Sequence, residues 1–281
     1  MGWSGRWGRF RCRFLGFFEF LLYNTLMPIP TKDILIPKID ALMKEIISLR
    51  PLSAWEQREL MKSLKVMEVY NSNAIEGNTL TLGETKLVIE DGITIGGKTV
   101  REMHGAENLS RAIDWMLSWE KDIDEDTILS LHAMIMKNID DENAGRYRRT
   151  QVYISWDDAK PPKANEVAGF MWELIKWLSQ SLWGTKQSSN KIAHPVLLAS
   201  EFHYRFVKIH PFTDGNGRTA RLLANMILMS HWYPMIIVPV IRRIDYISTL
   251  HSLTWSLERF QDFYTDIVHE NLRDYLMMIR E

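Results

Sequence analysis

After Pro37, apolar residues recur at three- and four-residue spacing through nearly the whole chain. That period is the signature of helices with one buried face. Ile39, Leu42, Ile46 and Leu49 form one such stripe before Pro51. Leu60, Leu64 and Met67 form another, opened by Ser53 with Glu56 at the capping-box position. Further helical patterns cover roughly 98–119, 126–137, 164–183, 193–209, 217–232 and 243–280. Thr150-Gln151-Val152-Tyr153-Ile154-Ser155 alone reads as extended, and Pro161 and Pro162 follow it. A chain of 281 residues with 46% apolar side chains can bury a sizeable core. The expectation is a mostly α-helical protein with one short β element.

Charge and cysteine usage exclude several classes. The 34 basic and 35 acidic side chains leave a net charge of −1, which argues against nucleic-acid binding by bulk charge. One cysteine, Cys12, cannot build a disulfide framework or a multi-thiolate zinc site. That usage suits a reducing compartment, so a cytoplasmic location is expected.

Residues 1–27 differ from the rest. They hold four arginines, two tryptophans, five phenylalanines and a single acid, Glu19. The apolar stretch from Phe14 to Leu22 falls short of the ~20 residues a spanning helix needs. Glu19 interrupts it, and no small-x-small cleavage site follows, which disfavours a secretory signal. The favoured reading is translation starting at Met27. A membrane-surface anchor is the alternative, so membrane contact is expected only if residues 1–27 are real. The expected organisation is residues 1–27 as a basic, aromatic leader, either non-native or disordered. Residues 28–120 form an N-terminal helical region, and residues 121–281 a catalytic core with C-terminal helices.

Two stretches could hold phosphate. Gly92 to Thr99 satisfies the P-loop pattern G-x-x-x-x-G-K-[ST] through Gly97, Lys98 and Thr99. A P-loop must follow a buried strand of a parallel sheet, and the preceding residues, Leu80 to Asp91, read as a capped helical turn. A Gly-rich connection between two helices is expected instead.

The other stretch is His210-Pro211-Phe212-Thr213-Asp214-Gly215-Asn216-Gly217-Arg218-Thr219-Ala220-Arg221. It is a tight loop between one helix ending near Lys208 and another beginning near Gly217. Backbone N–H groups of such a loop can converge on an anion, and the helix N-terminus adds its dipole. Arg218 and Arg221 lie three apart on one face and can clamp a polyphosphate. Asp214 is a hard oxygen ligand suited to magnesium. His210 can take a proton near neutral pH. Phe212 is an apolar anchor within a polar loop.

HPFTDGNGRTAR resembles the Fic motif, H-x-F-x-[DE]-G-N-G-R-x-x-R, at every fixed position. The likeness extends from about Ser72 to Tyr264. It implies a Fic-type helical bundle with a short β-hairpin flap, and AMP transfer from ATP to Ser, Thr or Tyr hydroxyls of proteins. By resemblance His210 is the general base and Asp214 holds Mg2+. Gly215, Asn216 and Gly217 hold the α- and β-phosphates through backbone and side chain, Arg218 stands beside them, and Arg221 reaches the γ-phosphate. Gly145 to Arg148, followed by Val152, Tyr153, Ile154 and Ser155, resembles the flap, which pairs with a target segment beside the nucleotide. Arg243, Tyr246 and Leu250 fit loosely the family's adenine pocket, formed partly by a helix beginning R-x-x-Y, while Thr254 departs from the asparagine of some relatives.

Ser72 to Asn78 resembles the family's inhibitory motif, [ST]-x-x-x-E-[GN]. The resemblance pairs Glu76 with Arg221, where a carboxylate displaces the γ-phosphate and restrains the enzyme. A deAMPylase using the same site with Glu76 is the alternative reading. More remote are a P-loop NTPase and a non-catalytic helical interaction module. Family habit implies a homodimer. The Trp115/Trp119 and Trp172/Trp183 pairs read as core or dimer surface.

Overall fold

The computed structural model describes residues 29–49, 51–153, 161–183, 194–251 and 256–280. Among them every regular element is helical. They are α1 (Lys32–Ser48), α2 (Ala54–Ile75), α3 (Leu82–Asp91), α4 (Val100–Leu117) and α5 (Glu125–Met136). After them come α6 (Val167–Trp183), α7 (Pro195–Ile209), α8 (Asn216–Met229), α9 (Arg243–Leu250) and α10 (Leu257–Arg280). Single 3-10 turns at Ala164–Glu166 and Val240–Arg242 precede α6 and α9.

Local chemistry explains several boundaries. Ser53 and Glu56 form the expected capping box at α2. Thr81 with Glu84, and Thr99 with Glu102, repeat it at α3 and α4. Each reciprocal pair satisfies two N–H groups that a helix start leaves without partners. Helix α1 begins before Pro37, which sits on its second turn. Leu35, Ile39, Met43 and Ile46 form one buried stripe across the proline, and packing of that stripe outweighs the lost backbone bond. The expected helix over 243–280 is two helices, α9 and α10, and Thr254 lies outside the described residues.

Helix α8 is the centre of the molecule. It is buried from Thr219 to Leu228 and packs on α7, with α5, α4 and α2 around it. Helix α10 lies along α1 and α7, so the segments before and after residue 120 contribute to one contiguous core. The flap expectation falls partly outside the described residues, which end at Tyr153 and resume at Pro161. The described part, 145–153, carries no strand. The expected leader, residues 1–27, lies outside them as well. Trp115 and Trp119 are partly buried, their rings 4.4 Å apart, whereas Trp172 is exposed. No helix among the described residues is long and apolar enough to cross a membrane.

Candidate active site

The chain reverses direction between α7 and α8, and the reversal makes the site. His210 caps α7 with φ 50° and ψ 60°, a left-handed conformation that costs a non-glycine residue ~1–3 kcal/mol. The surroundings impose it. The His210 N–H donates to Phe206 O at 3.0 Å, and Arg148 Nε donates to His210 O at 2.8 Å. The Arg148 N–H donates to Pro211 O at 2.9 Å, and its guanidinium also reaches Thr150 O and Pro162 O. One buried arginine therefore ties Thr150 and Pro162 to the loop at His210 and Pro211.

The loop is shaped from inside. Phe212 is fully buried and stacks on His132, centroids 3.5 Å apart and planes 1° from parallel. The Gly145 N–H donates to His132 Nδ1 at 3.0 Å, so the opposite nitrogen carries the proton and donates to Asp214 O at 3.0 Å. Asn216 accepts from the Phe212 N–H and donates to Phe212 O, both at 2.9 Å. Its side-chain amide thus locks the loop, and its backbone N–H heads α8. Gly215 has φ 77°, and a Cβ there would press on Met136 and the His132 ring. Helix α8 starts at Asn216, so the N–H groups of Asn216, Gly217 and Arg218 head it without intrahelical acceptors.

Burial pushes the His210 imidazole down to about 4, so it is neutral in ordinary buffer and able to accept a proton. Asp214 behaves differently. Burial acts to raise its carboxyl, but Arg218, the Gly215 N–H and Arg101 outweigh it and hold the group below the usual carboxylate range. Gly215 N donates to Oδ1 at 2.6 Å, Arg218 Nη2 lies 3.4 Å from the same oxygen, and Arg101 Nη2 lies 2.6 Å from Oδ2.

Arg221, 3% exposed, points to the start of α8. Its Nη2 donates to Glu76 Oε1 at 2.7 Å and to Ser72 O at 2.8 Å, and its Nε to Ser72 Oγ at 2.8 Å. Glu76 ends α2, and Gly77 follows with φ 95°. A Cβ at Gly217 would overlap Glu76 Oε1, which places that carboxylate against the first turn of α8. Tyr246 is buried, its hydroxyl 3.3 Å from Arg221 Nη1 and 3.0 Å from His203 Nε2. It thus stands beside Arg221. Of the other expected flap contacts, Val152 is half-buried and Tyr153 exposed, while Ile154 and Ser155 lie outside the described residues.

Lys98 is engaged elsewhere. Its Nζ reaches Thr79 O at 2.5 Å and Glu84 at 3.6 Å, helix α3 precedes its loop, and Thr99 caps α4. A P-loop requires none of these. Sequence reasoning missed His132, Arg101 and Glu68, and it placed Arg148 in the flap without seeing its bond to His210 O. Glu68 lies buried behind Arg221, and burial raises its carboxyl to about 7, with Arg221 and Ser72 pulling the other way.

The sequence profile of the Fic/DOC family matches residues 122–228. The solved structure of Fic-1 (residues 134–508) from Caenorhabditis elegans superposes with a TM-score of 0.77 at 30% identity, over 88% of this chain and 72% of that one. The chain belongs to the Fic/DOC family. A Fic-domain signaling protein of Bacteroides thetaiotaomicron superposes equally well, TM-score 0.77 at 27% identity, over 88% of this chain and 97% of that one. Among curated relatives, the protein adenylyltransferase fic-1 of C. elegans is 38% identical over 69% of this chain and 37% of its own length. The protein adenylyltransferase Fic of Nematostella vectensis is 34% identical over 78% and 50%. The chain thus spans half or less of the length of these two curated relatives.

Proposed function

We propose that this chain is a self-restrained protein adenylyltransferase, moving AMP from ATP to Ser, Thr or Tyr hydroxyls of proteins, itself included. One observation carries the reading: the Glu76 carboxylate lies on Arg221 and against Gly217, an anion seated at a helix start built for anions. The relatives' names as protein adenylyltransferases point the same way. The acceptor O–H gives its proton to the neutral His210 imidazole as the oxygen bonds the α-phosphorus. The bond from that phosphorus to the bridging oxygen breaks, and pyrophosphate leaves. The N–H groups heading α8, with Arg218 and Arg221, stabilise charge spread over the phosphate oxygens.

Asp214 fits a magnesium ion that arrives on the phosphates. Among the described residues no three His, Cys, Asp or Glu side chains gather into a metal cluster. A single carboxylate beside the nucleotide suits Mg2+, which takes much of its shell from phosphate and water. Bound there, the ion would neutralise charge on the leaving pyrophosphate. We assign the activity to the cytoplasm, on protein partners.

In the restrained state Arg221 cannot serve both Glu76 and a γ-phosphate, and the carboxylate repels the triphosphate. The test compares wild type, Glu76→Gly, His210→Ala and the double variant with α-labelled ATP and magnesium. Glu76→Gly is expected to label itself and lysate proteins roughly 5–150-fold above wild type, the range of ordinary site coupling. Both His210→Ala proteins should fall by about 10²–10⁴-fold. All four dark would refute the reading. Glu76→Gly dark, with wild type removing AMP from a labelled protein, would establish the reverse reaction instead.

A further inference from the structure

Asp214 carries two arginines, and they differ in kind. Arg218 reaches it from one turn along α8 with a buried side chain. Arg101 comes from 113 positions away in sequence, on the first turn of α4, and makes the shorter contact, 2.6 Å to Oδ2. Its side chain is 59% exposed and that of Asp214 45%, so this pair stands at the mouth of the site. The Thr99–Glu102 capping box already completes the helix start without Arg101. The neighbouring Glu102 fixes that turn in place. It accepts from the Thr79 N–H at 2.8 Å and hydroxyl at 2.7 Å, and its carbonyl accepts from Asn78 Nδ2 at 2.9 Å. One helical turn therefore touches both the chain just beyond Glu76 and the carboxylate at 214.

We propose that Arg101 is the resident cation of Asp214, a displaceable stand-in for the divalent ion that comes with the triphosphate. The proposal rests on the reading of Asp214 as the metal carboxylate. A carboxylate beside the anion cradle repels phosphate; Arg218 offsets part of that charge from the Oδ1 side, and the Arg101 guanidinium on Oδ2 offsets more of it when metal is absent. A divalent ion held by Asp214 would compete with the guanidinium for the carboxylate and repel it. Arg101 thus helps metal-free nucleotide bind and opposes metal. These opposite signs distinguish it from a phosphate ligand, which would help in both conditions. Its exposure makes removal compatible with folding.

The experiment is calorimetric titration of α,β-methylene ATP, which cannot release AMP. The proteins are Glu76→Gly, Glu76→Gly/Arg101→Gln and Glu76→Gly/Arg101→Lys, each with Mg2+ and with EDTA. For Arg101→Gln the ratio of metal-bound to metal-free affinity is expected to rise about two- to fivefold, the scale of a partly exposed ion pair. Metal-free binding should weaken while metal-bound binding holds or tightens, and Arg101→Lys should stay near the parent ratio. Equal weakening in both conditions would make Arg101 a phosphate ligand and overturn the proposal. No change in either would overturn it too. Failure of the Arg101-intact protein to bind the analogue under any condition would instead refute the nucleotide site, and this proposal with it.

Discussion

His210 is neutral because it is buried, and that has a measurable consequence. A general base works in its unprotonated form. With its imidazole pushed down to about 4 rather than near 6.5, protonation does not begin until well below neutral pH. The turnover of Glu76→Gly protein is therefore expected to hold from about pH 8 to 6 and to fall only as pH approaches the low range. A pH–rate profile with its half-point near 6.5 would show a base in an ordinary, wet environment. His210, Asp214, Arg218 and Arg221 were all legible in sequence because they lie within one loop and one helical turn, where spacing dictates direction. The resemblance sets Tyr246 at the adenine wall, and in the structure its hydroxyl meets Arg221 and His203. His132, Glu68 and Arg101 were not legible. A histidine or glutamate on a helix face reads as core or solvent until tertiary packing supplies its partner, and Arg101 meets Asp214 only through the fold.

Helices were the readable elements, and their caps more than their bodies. Ser53, Thr81 and Thr99 each start a helix with a glutamate three residues on, a local arrangement needing no long-range information. Where local signals conflicted with packing, packing prevailed: Pro37 suggested a boundary, and the Leu35–Ile39 stripe carried α1 across it. The segment after α5 is held differently, by Arg148 donating to the carbonyls of His210, Thr150 and Pro162. Burial works against its charge. Removing it leaves carbonyls without donors, at about 1–3 kcal/mol for a buried polar group so stranded. Arg148→Ala should lower the melting temperature by several degrees, and Arg148→Lys should recover little, because three donors on one nitrogen cannot span carbonyls that Nε, Nη1 and Nη2 reach separately. Full recovery by lysine in thermal melts would show that charge, rather than the guanidinium fork, holds the segment.

Among the described residues, two sets of buried or half-buried groups oppose each other in pH. Burial lowers His132 and His210 to about 4 and His203 to about 3. The folded state then binds fewer protons than the unfolded chain, whose histidines titrate near 6.5. Stability from this set is full above about 6.5 and is lost as pH falls toward 4. Burial raises Glu68 and Glu270 to about 7 and Asp274 to about 6. Stability from that set is full below the ordinary carboxylate range and is lost as pH rises to about 7. Three rising terms meet three falling ones, so the melting temperature should vary little between about pH 4.5 and 6.5. Glu68→Gln removes one falling term and should raise the melting temperature at pH 8 while changing it less at pH 5. A variant less stable at pH 8 would mean that the ionised Glu68 supports Arg221 more than its burial costs.

The Glu76–Arg221 contact lies within a single chain. In the restrained enzyme proposed above, the inhibitor is thus a tethered ligand whose effective concentration is fixed by the fold. Dilution cannot release it, as it would a separate inhibitory subunit, and abundance of the protein does not set its occupancy. The restraint can yield to a rival anion in the cradle, or to whatever moves the end of α2. On that proposal the idle state is a property of each molecule, set by a contact within its own chain.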